Sequence, residues 1–441
     1  MSDRTPPRDV PSERRWVLAL LVAACVGLHI AWVYQSVPLQ SANDRSRWST
    51  IRALVEDDSY IIDRFQVSRD RSWATIDLAQ KEGHLYSTKP PLLPTLLAWL
   101  VEGLTAATGW TLATRTLDLT RTVLLLVNVV PLAIALAMLA GVLRRTTETL
   151  FAPAVGVLAV GAATMHTPFV ATLNNHTIGL WSAALTLATL HSYDRGSRVW
   201  TKRLNAAAAG FFAMWTCCNE LPAALFGLTC FGWLAWRDWR RAVFWFGPAA
   251  VVPLAGFFWA NYEAVGTWRP LYMAYGTETY EFYLNGRPSY WMNPQGIDRN
   301  VDEPPVYLMH CLVGHHGVFS LTPLLLLAIP AAFLRSASRW LRFWTRAGAV
   351  LSVAVLAFFL TRTENYNYGG VSVALRWLLW LTPLWGMMIT ATLERWRFGW
   401  LKGVAVVLLA ASLFSALEPG PNPWQHNWLF RGLTQAGLIA Y

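Results

Sequence analysis

Acidic and basic side chains cluster between about residues 35 and 120, a segment that separates two strongly apolar stretches. Ionisable groups close to a membrane are costly, so those that persist there are candidates for function. Carboxylates in this segment could activate a nucleophile while its cations bind the phosphate of a lipid, although a solvated loop would have the same composition. The charged residues concerned are Asp44, Arg45, Arg47, Arg52, Glu56, Asp57, Asp58, Asp63, Arg64, Lys81, Glu82, His84 and Lys89.

The chain that must position these groups has the composition of a membrane protein. Of its 441 residues, 54% are hydrophobic and only 14% are charged, whereas soluble domains have roughly 25% charged residues. The net charge of +10 comes from basic residues that lie between apolar segments. We therefore expect membrane lipids as partners, and no nucleic acid. The five cysteines predict no disulfide framework.

Apolar segments long enough to cross a bilayer recur along the chain. A spanning helix needs about 20 apolar residues, which predicts an all-α polytopic membrane protein that forms a single domain over residues 1–441. The first span follows a short tail and precedes no cleavage site, so we expect it to be a retained anchor. About eleven transmembrane helices are expected, at 16–34, 121–143, 151–168, 177–193, 204–219, 221–236, 242–262, 317–334, 347–361, 374–391 and 402–417.

The positions of Arg and Lys predict the orientation, because short cytoplasmic loops collect them. They place the N-terminal tail, 1–15, in the cytoplasm and three segments outside, at 35–120, 263–316 and 418–441. The basic residues expected inside are Arg4, Arg8, Arg14, Arg15, Arg144, Arg145, Arg195, Arg198, Lys202, Arg203, Arg237, Arg240, Arg241, Arg335, Arg339, Arg342, Arg346, Arg395, Arg397 and Lys402.

Two segments of the first outer loop are predicted to be juxtamembrane helices. Residues 90–108 are apolar enough to span, but a crossing there would place Arg144 and Arg145 outside and invert every later loop. We therefore expect a helix at the outer interface or a re-entrant helix. Residues 46–56 have apolar side chains on one side at helical spacing, and Asn43 and Asp44 are the candidates for the N-cap.

Three motifs resemble those of the GT-C superfamily of membrane glycosyltransferases, in particular the branch of aminoarabinose transferases and protein O-mannosyltransferases. GHLYSTKPPLLPTLLAWL at 83–100 resembles the element in which Lys-Pro-Pro-Leu closes the first outer loop. NDRSRW at 43–48 is similar to the Asp-Glu-x-Arg-Tyr element that follows the first helix. YGGVS at 368–372, followed by LRWLL at 375–379 and Pro383, is similar to a Gly-Gly…Arg-Tyr-Leu-Leu-Pro pattern.

This resemblance implies the transfer of a sugar, with inversion, from a polyprenyl-phosphate donor to a lipid, protein or polysaccharide acceptor. The reaction would occur at the extracytoplasmic face of the cytoplasmic (inner) membrane. A carboxylate of the first loop would act as base, and cations would stabilise the departing lipid phosphate. The chain has no Gly-rich phosphate loop after a strand, which agrees with a lipid-linked rather than a nucleotide-linked donor.

Carried over to this sequence, the resemblance makes Asp44 the candidate base, with a plain helix N-cap as the alternative. The usual second acid is replaced by Arg45. Asp57 could supply the missing carboxylate or simply end a solvated helix. Glu220 is a further candidate acid that would face the cavity, or else a solvated residue of a turn.

Four residues are predicted to bind the donor phosphate: Lys89, Arg376, Arg47 and His176. Arginine suits phosphate because its planar group donates two hydrogen bonds. Lys89 could instead be an interfacial lysine whose side chain reaches to water. Arg376 could instead form an ion pair with Glu364 or with an acid of a loop. For His176 the alternative is helix capping and packing.

Further donor or acceptor contacts are expected from Asn175, His84, His315, His316 and Tyr368. His310, His315 and His316, with His84 or a carboxylate, could also hold a divalent metal ion, although no fixed ligand spacing supports one, and donor contact or structural hydrogen bonding is an alternative. No other cofactor is expected. Two other functions stay open: a catalytically inactive relative that binds lipid-linked sugar, and a polytopic transporter or flippase, which usually shows repeat symmetry with charges in mid-membrane.

Overall fold

The computed structural model describes residues 12–68, 71–299, 301–335, 338–361 and 367–441. Most of the expected cytoplasmic tail, including Arg4 and Arg8, lies outside these residues. In the first third of the chain the helices are α1 (Ser12–Gln35), α2 (Ala42–Asp57), α3 (Asp63–Val67), α4 (Leu92–Thr108), α5 (Thr116–Leu124) and α6 (Val130–Thr146). A hairpin of β1 (Leu78–Lys81) and β2 (His84–Ser87) precedes α4.

The middle of the chain contains α7 (Phe151–Gly161), α8 (Asn175–Arg195), α9 (Val199–Asn219), α10 (Ala224–Arg241) and α11 (Gly247–Val265). A two-residue hairpin, β3 (Tyr283–Leu284) with β4 (Arg287–Pro288), follows. The remaining helices are α12 (Pro304–Leu312), α13 (Val318–Leu321), α14 (Arg339–Leu360), α15 (Thr382–Arg395), α16 (Gly399–Leu417) and α17 (Trp428–Gln435).

The fold is helical, and several of its helices have the length and composition of membrane spans. Within the described ranges these are the five stretches Arg14–Gln35, Thr116–Thr146, Leu221–Val265, Arg339–Leu360 and Gly399–Leu417. The expected helical class is therefore confirmed, and these five stretches are compatible with a polytopic membrane protein. The count of eleven spans and the orientation stay predictions.

Three of the predicted spans depart most from a regular α-helix. The span expected at 151–168 is helical only to Gly161, and that at 317–334 consists of the short α13 and two 3₁₀ segments, Pro323–Ala328 and Pro330–Ala332. The span at 374–391 begins with the 3₁₀ segment Arg376–Leu381. Proline explains the second case, because it has no backbone N–H to donate and its ring clashes with the preceding turn.

Irregular backbone at membrane depth requires partners from the protein itself. Asn128, at the junction of α5 and α6, donates from Nδ2 to the carbonyls of Val170 and Thr172, at 2.9 and 2.8 Å. The hydroxyl of Ser412 accepts from the N–H of Leu324 at 3.0 Å. Buried side chains thus provide hydrogen-bond partners for backbone groups outside the α-helices, including those of the segment that leads into α8.

The helix α8 is the centre of the bundle. It is buried along nearly its whole length and packs against α6, α9 and α15. Gly179 in its first turns lies so close to Glu220 that an added Cβ would be 2.9 Å from that side chain. The start of α8 therefore meets the turn between α9 and α10.

The first juxtamembrane helix differs from its prediction. Ser41, not Asn43 or Asp44, is the N-cap of α2, and its hydroxyl accepts from the N–H of Asp44 at 3.1 Å. The helix is also more buried than one lying on a membrane face, because it packs against α4. Its polar side is occupied: Ser49, for example, donates to the carbonyl of Trp73 at 2.7 Å.

Close packing at Gly210 provides a test of this arrangement. A Cβ at Gly210 in α9 would collide with the carbonyl of Phe246, whereas one at Gly232 in α10 would meet nothing within 4 Å. We expect Gly210→Ala to destabilise the protein by about 1–3 kcal/mol through overpacking. Gly232→Ala should not destabilise it and should stabilise it by up to about 1 kcal/mol, because alanine has the higher helix propensity. Thermal unfolding in detergent, followed by tryptophan fluorescence, measures both; equal melting temperatures would contradict the packing.

Candidate functional site

The carboxylate of Asp44 joins three segments of backbone. Its Oδ2 accepts from the N–H groups of Leu39 and Gln40, at 3.1 and 3.3 Å, and its Oδ1 accepts from the N–H of Leu173 at 3.2 Å. Leu39 has a left-handed backbone, with φ of 67°, which is uncommon for a residue with a bulky side chain. The carboxylate therefore fixes the loop after α1 and the residues before α8 to the first turn of α2.

Asp44 is almost completely buried, with 1% of its surface exposed. Burial raises the pKa of its carboxyl to about 6, and the three backbone N–H donors and Arg47 act in the opposite direction. The carboxylate is thus held ionised at neutral pH by hydrogen bonds rather than by water.

A chain of hydrogen bonds connects α2 with α8 and with the turn after α9. Arg47 donates from Nη2 to Oδ1 of Asn175 at 2.5 Å. Asn175 in turn donates from Nδ2 to Oε1 of Glu220 at 2.8 Å. Nδ1 of His176 lies 2.5 Å from the same oxygen. Two residues of α8 thus contact this carboxylate directly, and Arg47 of α2 is connected to it through Asn175.

The second oxygen of Glu220 is available. Among the residues that the structure describes, Oε2 makes no hydrogen bond, although the side chain is 5% exposed. Burial raises the pKa of this carboxyl to about 8, while the nearby cations Arg376 and Arg47 act to lower it. A carboxyl group with these properties can take up and release a proton near neutral pH.

Lys89 forms a buried ion pair with Asp77. Its Nζ lies 2.9 Å from Oδ2 of Asp77, and the two side chains are 17% and 9% exposed. Burial lowers the pKa of Lys89 to about 8, and the Asp77 carboxylate opposes this shift. The lysine therefore does not simply extend into water from the interface, as one alternative held.

Arg376 completes a group of three cations. It lies at the start of the 3₁₀ segment before α15, with its guanidinium 5.1 Å from the ring centre of Trp424. Its charge lowers the pKa of Lys89 and of Arg47, so all three groups share one region. Glu364, the proposed alternative partner of Arg376, lies outside the described residues. Cations that converge in this way form a site for an anion such as phosphate.

Two grooves border the cations and share Pro90. One is lined by Lys89, Tyr60, Tyr86 and Tyr272 among others. The other is lined by Arg47 and Asn175 together with apolar residues of α4. The two partly apolar clefts thus meet at Pro90, before α4, and each is lined by one of the cations.

Three of the predicted contact residues lie together in a second cluster. His315 and His316 face each other through their Nδ1 atoms at 2.6 Å, and the ring of Tyr368 packs against both. The hydroxyl of Tyr368 donates to Oδ2 of Asp302 at 2.6 Å. This group belongs to the residues on either side of α12 and to the loop before Arg376.

Asp57 and His84 lie apart from the main cluster. Asp57 ends α2, about 20 Å from Asp44 at 1.5 Å per residue, and forms an ion pair with Arg64 at 2.9 Å. His84 is half exposed and contacts Asp63 through Nδ1 at 2.9 Å. The structure therefore brings Asp44, Arg47, Lys89, Asn175, His176, Glu220 and Arg376 together and leaves these two outside.

Sequence reasoning missed Asp77 and Asp302. Asp77 immediately precedes β1, and the turn between β1 and β2 returns the chain so that Thr88 donates to its carbonyl at 3.3 Å. The acid beside Lys89 could have been found only from the register of that hairpin. Asp302 was not singled out because it lies eight residues before the nearest histidine.

No family model, curated protein or solved structure matches this chain. The function must therefore be argued from the site itself.

The pair of Lys89 and Asp77 provides a test of the site's electrostatics. We expect Asp77→Asn to destabilise the protein by about 3 kcal/mol, because it leaves a buried ammonium group without its counter-charge. The double variant Asp77→Asn/Lys89→Met removes that charge and should recover much of the loss. Thermal unfolding in detergent measures both. A double variant no more stable than Asp77→Asn would show that the pair is not buried as described.

Proposed function

We propose that the chain is a membrane glycosyltransferase that transfers a sugar from a polyprenyl-phosphate donor to an acceptor. The observation that carries this proposal is the convergence of three cations, Arg47, Lys89 and Arg376, beside two buried carboxyl groups, Asp44 and Glu220. Cations that bind an anionic leaving group and a carboxylate that takes a proton are the two requirements of this displacement.

The cations bind the donor phosphate. As the bond between the anomeric carbon and the phosphate oxygen breaks, its electron pair leaves with polyprenyl phosphate, and negative charge grows there. Arg47 and Lys89 each line a groove with partly apolar walls, which suits a phosphate attached to a hydrocarbon chain. The Tyr60, Tyr86 and Tyr272 side chains beside Lys89 offer contacts for the sugar.

Glu220 is the better proton acceptor of the two buried acids. Both oxygens of Asp44 accept hydrogen bonds from the backbone, whereas Oε2 of Glu220 has none in the described part of the chain. The acceptor oxygen attacks the anomeric carbon from the side opposite the phosphate, and its proton passes to Glu220. Asn175 and His176 hold the carboxylate in place. Asp44 acts as a positioning residue.

The distribution of charge supports an extracytoplasmic site in the cytoplasmic membrane. Asn175 and His176 begin α8, and Arg195 ends it 21 residues along, about 30 Å away. Arg144 and Arg145 likewise lie in the last turn of α6. Because cytoplasmic loops collect arginine, the end of the bundle that carries the site is the outer one.

A binding protein for lipid-linked sugar is the second candidate, because Arg45 stands where the resembled enzymes have an acid. It would use the same three cations and need no proton acceptor. Loss of turnover on removal of a single carboxyl group therefore separates the two functions.

We expect purified protein to release polyprenyl phosphate from at least one member of a panel of polyprenyl-phosphate sugars. Glu220→Gln should reduce this turnover by about 10²- to 10⁴-fold, the usual contribution of general base catalysis, with an unchanged melting temperature. Asp44→Asn should lower both turnover and melting temperature, because an amide cannot accept all three N–H groups. Glu82→Gln, at a residue whose side chain is 81% exposed, is the control. Donor binding without turnover in the wild type would favour the binding protein.

The pH dependence of turnover should show a maximum close to pH 8. Glu220 must be ionised to accept a proton, so the rate should fall about tenfold per unit below its pKa of about 8. Lys89 must be protonated to bind phosphate, so the rate should also fall above its pKa of about 8. Lys89→Arg keeps its charge at high pH and should remove the alkaline limb alone. A rate that does not vary between pH 6 and 8 would exclude Glu220 as the base.

A further inference from the structure

We propose that Asp302, His310 and His315 form a binding site for a divalent transition-metal ion, with Zn²⁺ as the ion that best fits these donors. One carboxylate oxygen and two imidazole nitrogens are ligands typical of zinc sites that keep a position open. This site shares no ligand with the cluster around Glu220, and its existence does not depend on the proposed reaction.

The three ligand groups already lie close together. One donor atom from each lies within 4.8 Å of the other two. In a tetrahedral site with bonds of about 2.1 Å, donor atoms are roughly 3.4 Å apart. Each side chain therefore needs to move by only about 1 Å to bind an ion. His310 and His315 are already stacked, with ring centres 4.1 Å apart.

His310 offers a nitrogen with no other use. The residue is 7% exposed, and its Nδ1 is buried without a hydrogen-bond partner among the residues that the structure describes. A buried polar atom without a partner is costly, and such atoms are rare in native structures. A metal ion bound at this nitrogen would remove that cost.

Hydrogen bonding fixes the tautomer of His315 in the form that binds metal. Nε2 of His316 lies 2.9 Å from the carbonyl of Ser372, so it must carry a proton and donate. In a neutral ring the Nδ1 of His316 then accepts, and the Nδ1 of His315, at 2.6 Å, must donate to it. The Nε2 of His315 is therefore left with a lone pair.

That lone pair faces a hydroxyl group that cannot satisfy it. The hydroxyl of Tyr441 lies 2.9 Å from Nε2 of His315 and 2.6 Å from Oδ2 of Asp302. It has one proton for two acceptors, and the carboxylate is the stronger of the two. A metal ion between Asp302 and His315 satisfies both acceptors.

The surrounding residues are those that support a metal site. Tyr368 donates to Asp302 at 2.6 Å, and His316 orients the ring of His315 through its other nitrogen. Such outer contacts fix the orientation of ligands in metal sites. The ion would join His310 of α12 to the residues before and after that helix. Tyr368 and the carbonyl of Ser372 contact Asp302 and His316, and so place the loop 367–375, which leads directly into Arg376, beside the ligands.

The full-length protein, purified in detergent and treated with EDTA, tests the site directly. After incubation with Zn²⁺ and dialysis, elemental analysis should find about one equivalent of zinc. Binding of Co²⁺ in its place should give the intense visible absorption of a four-coordinate ion. His310→Ala and Asp302→Ala should lose both signals, and His84→Ala, at a half-exposed histidine outside the cluster, should keep them.

Two results would overturn the proposal. The first is wild-type protein that retains no zinc and gives only the weak absorption of hydrated Co²⁺, a result that does not depend on how any variant folds. The second is a His310→Ala variant that binds zinc as the wild type does. Neither bears on turnover, so the metal site and the transferase can fail independently.

Discussion

The site depends on one buried carboxylate that accepts three backbone hydrogen bonds. Without the N–H groups of Leu39, Gln40 and Leu173, Asp44 would be an uncompensated charge, and each N–H group would be an unpaired donor. The Asp44 carboxylate and the three N–H groups therefore have to keep their relative positions together. Because α2 carries Arg47 and the residues after Leu173 begin α8, the same carboxylate sets the distance between Arg47 and Asn175, and through Asn175 the position of Glu220.

The cluster contains as many buried acids as cations. Asp44, Asp77 and Glu220 balance Arg47, Lys89 and Arg376, so the net charge of the group is near zero when all are ionised. Burying charges costs free energy even when they are paired, and apolar residues of similar size often give an equally stable protein. The persistence of six such groups is therefore better explained by a ligand than by stability. An added phosphate makes the cluster anionic, which favours uptake of a proton.

The sequence was sufficient to predict the helical class and most residues of the candidate site, but not how those residues are arranged. The resemblance to glycosyltransferase motifs singled out Asp44, Lys89, Glu220 and Arg376 individually, and charge placement alone pointed only to Asp44 and Lys89 among them. The pairing of Lys89 with Asp77 depends on a hairpin register, which no local pattern encodes. The N-cap of α2 was misassigned because Asn, Asp and Ser are all good caps, and only the tertiary contact with Leu173 decides how Asp44 is used. The irregular backbone of some predicted spans was not foreseen, because hydropathy carries no information on backbone geometry.

The loop before Arg376 couples the two clusters. Tyr368, Gly369 and Gly370 all have positive φ, at 52°, 88° and 69°. Such a backbone costs about 1–3 kcal/mol at a non-glycine residue, and contacts that hold the tyrosine from both sides offset that cost. Its ring stacks on Tyr307 with centres 4.3 Å apart, and its hydroxyl bonds Asp302. At Gly369 a side chain would meet Arg376, with an added Cβ 3.1 Å from its Cγ. The contacts of Tyr368 with Tyr307 and Asp302 therefore fix one end of the loop whose other end carries Arg376.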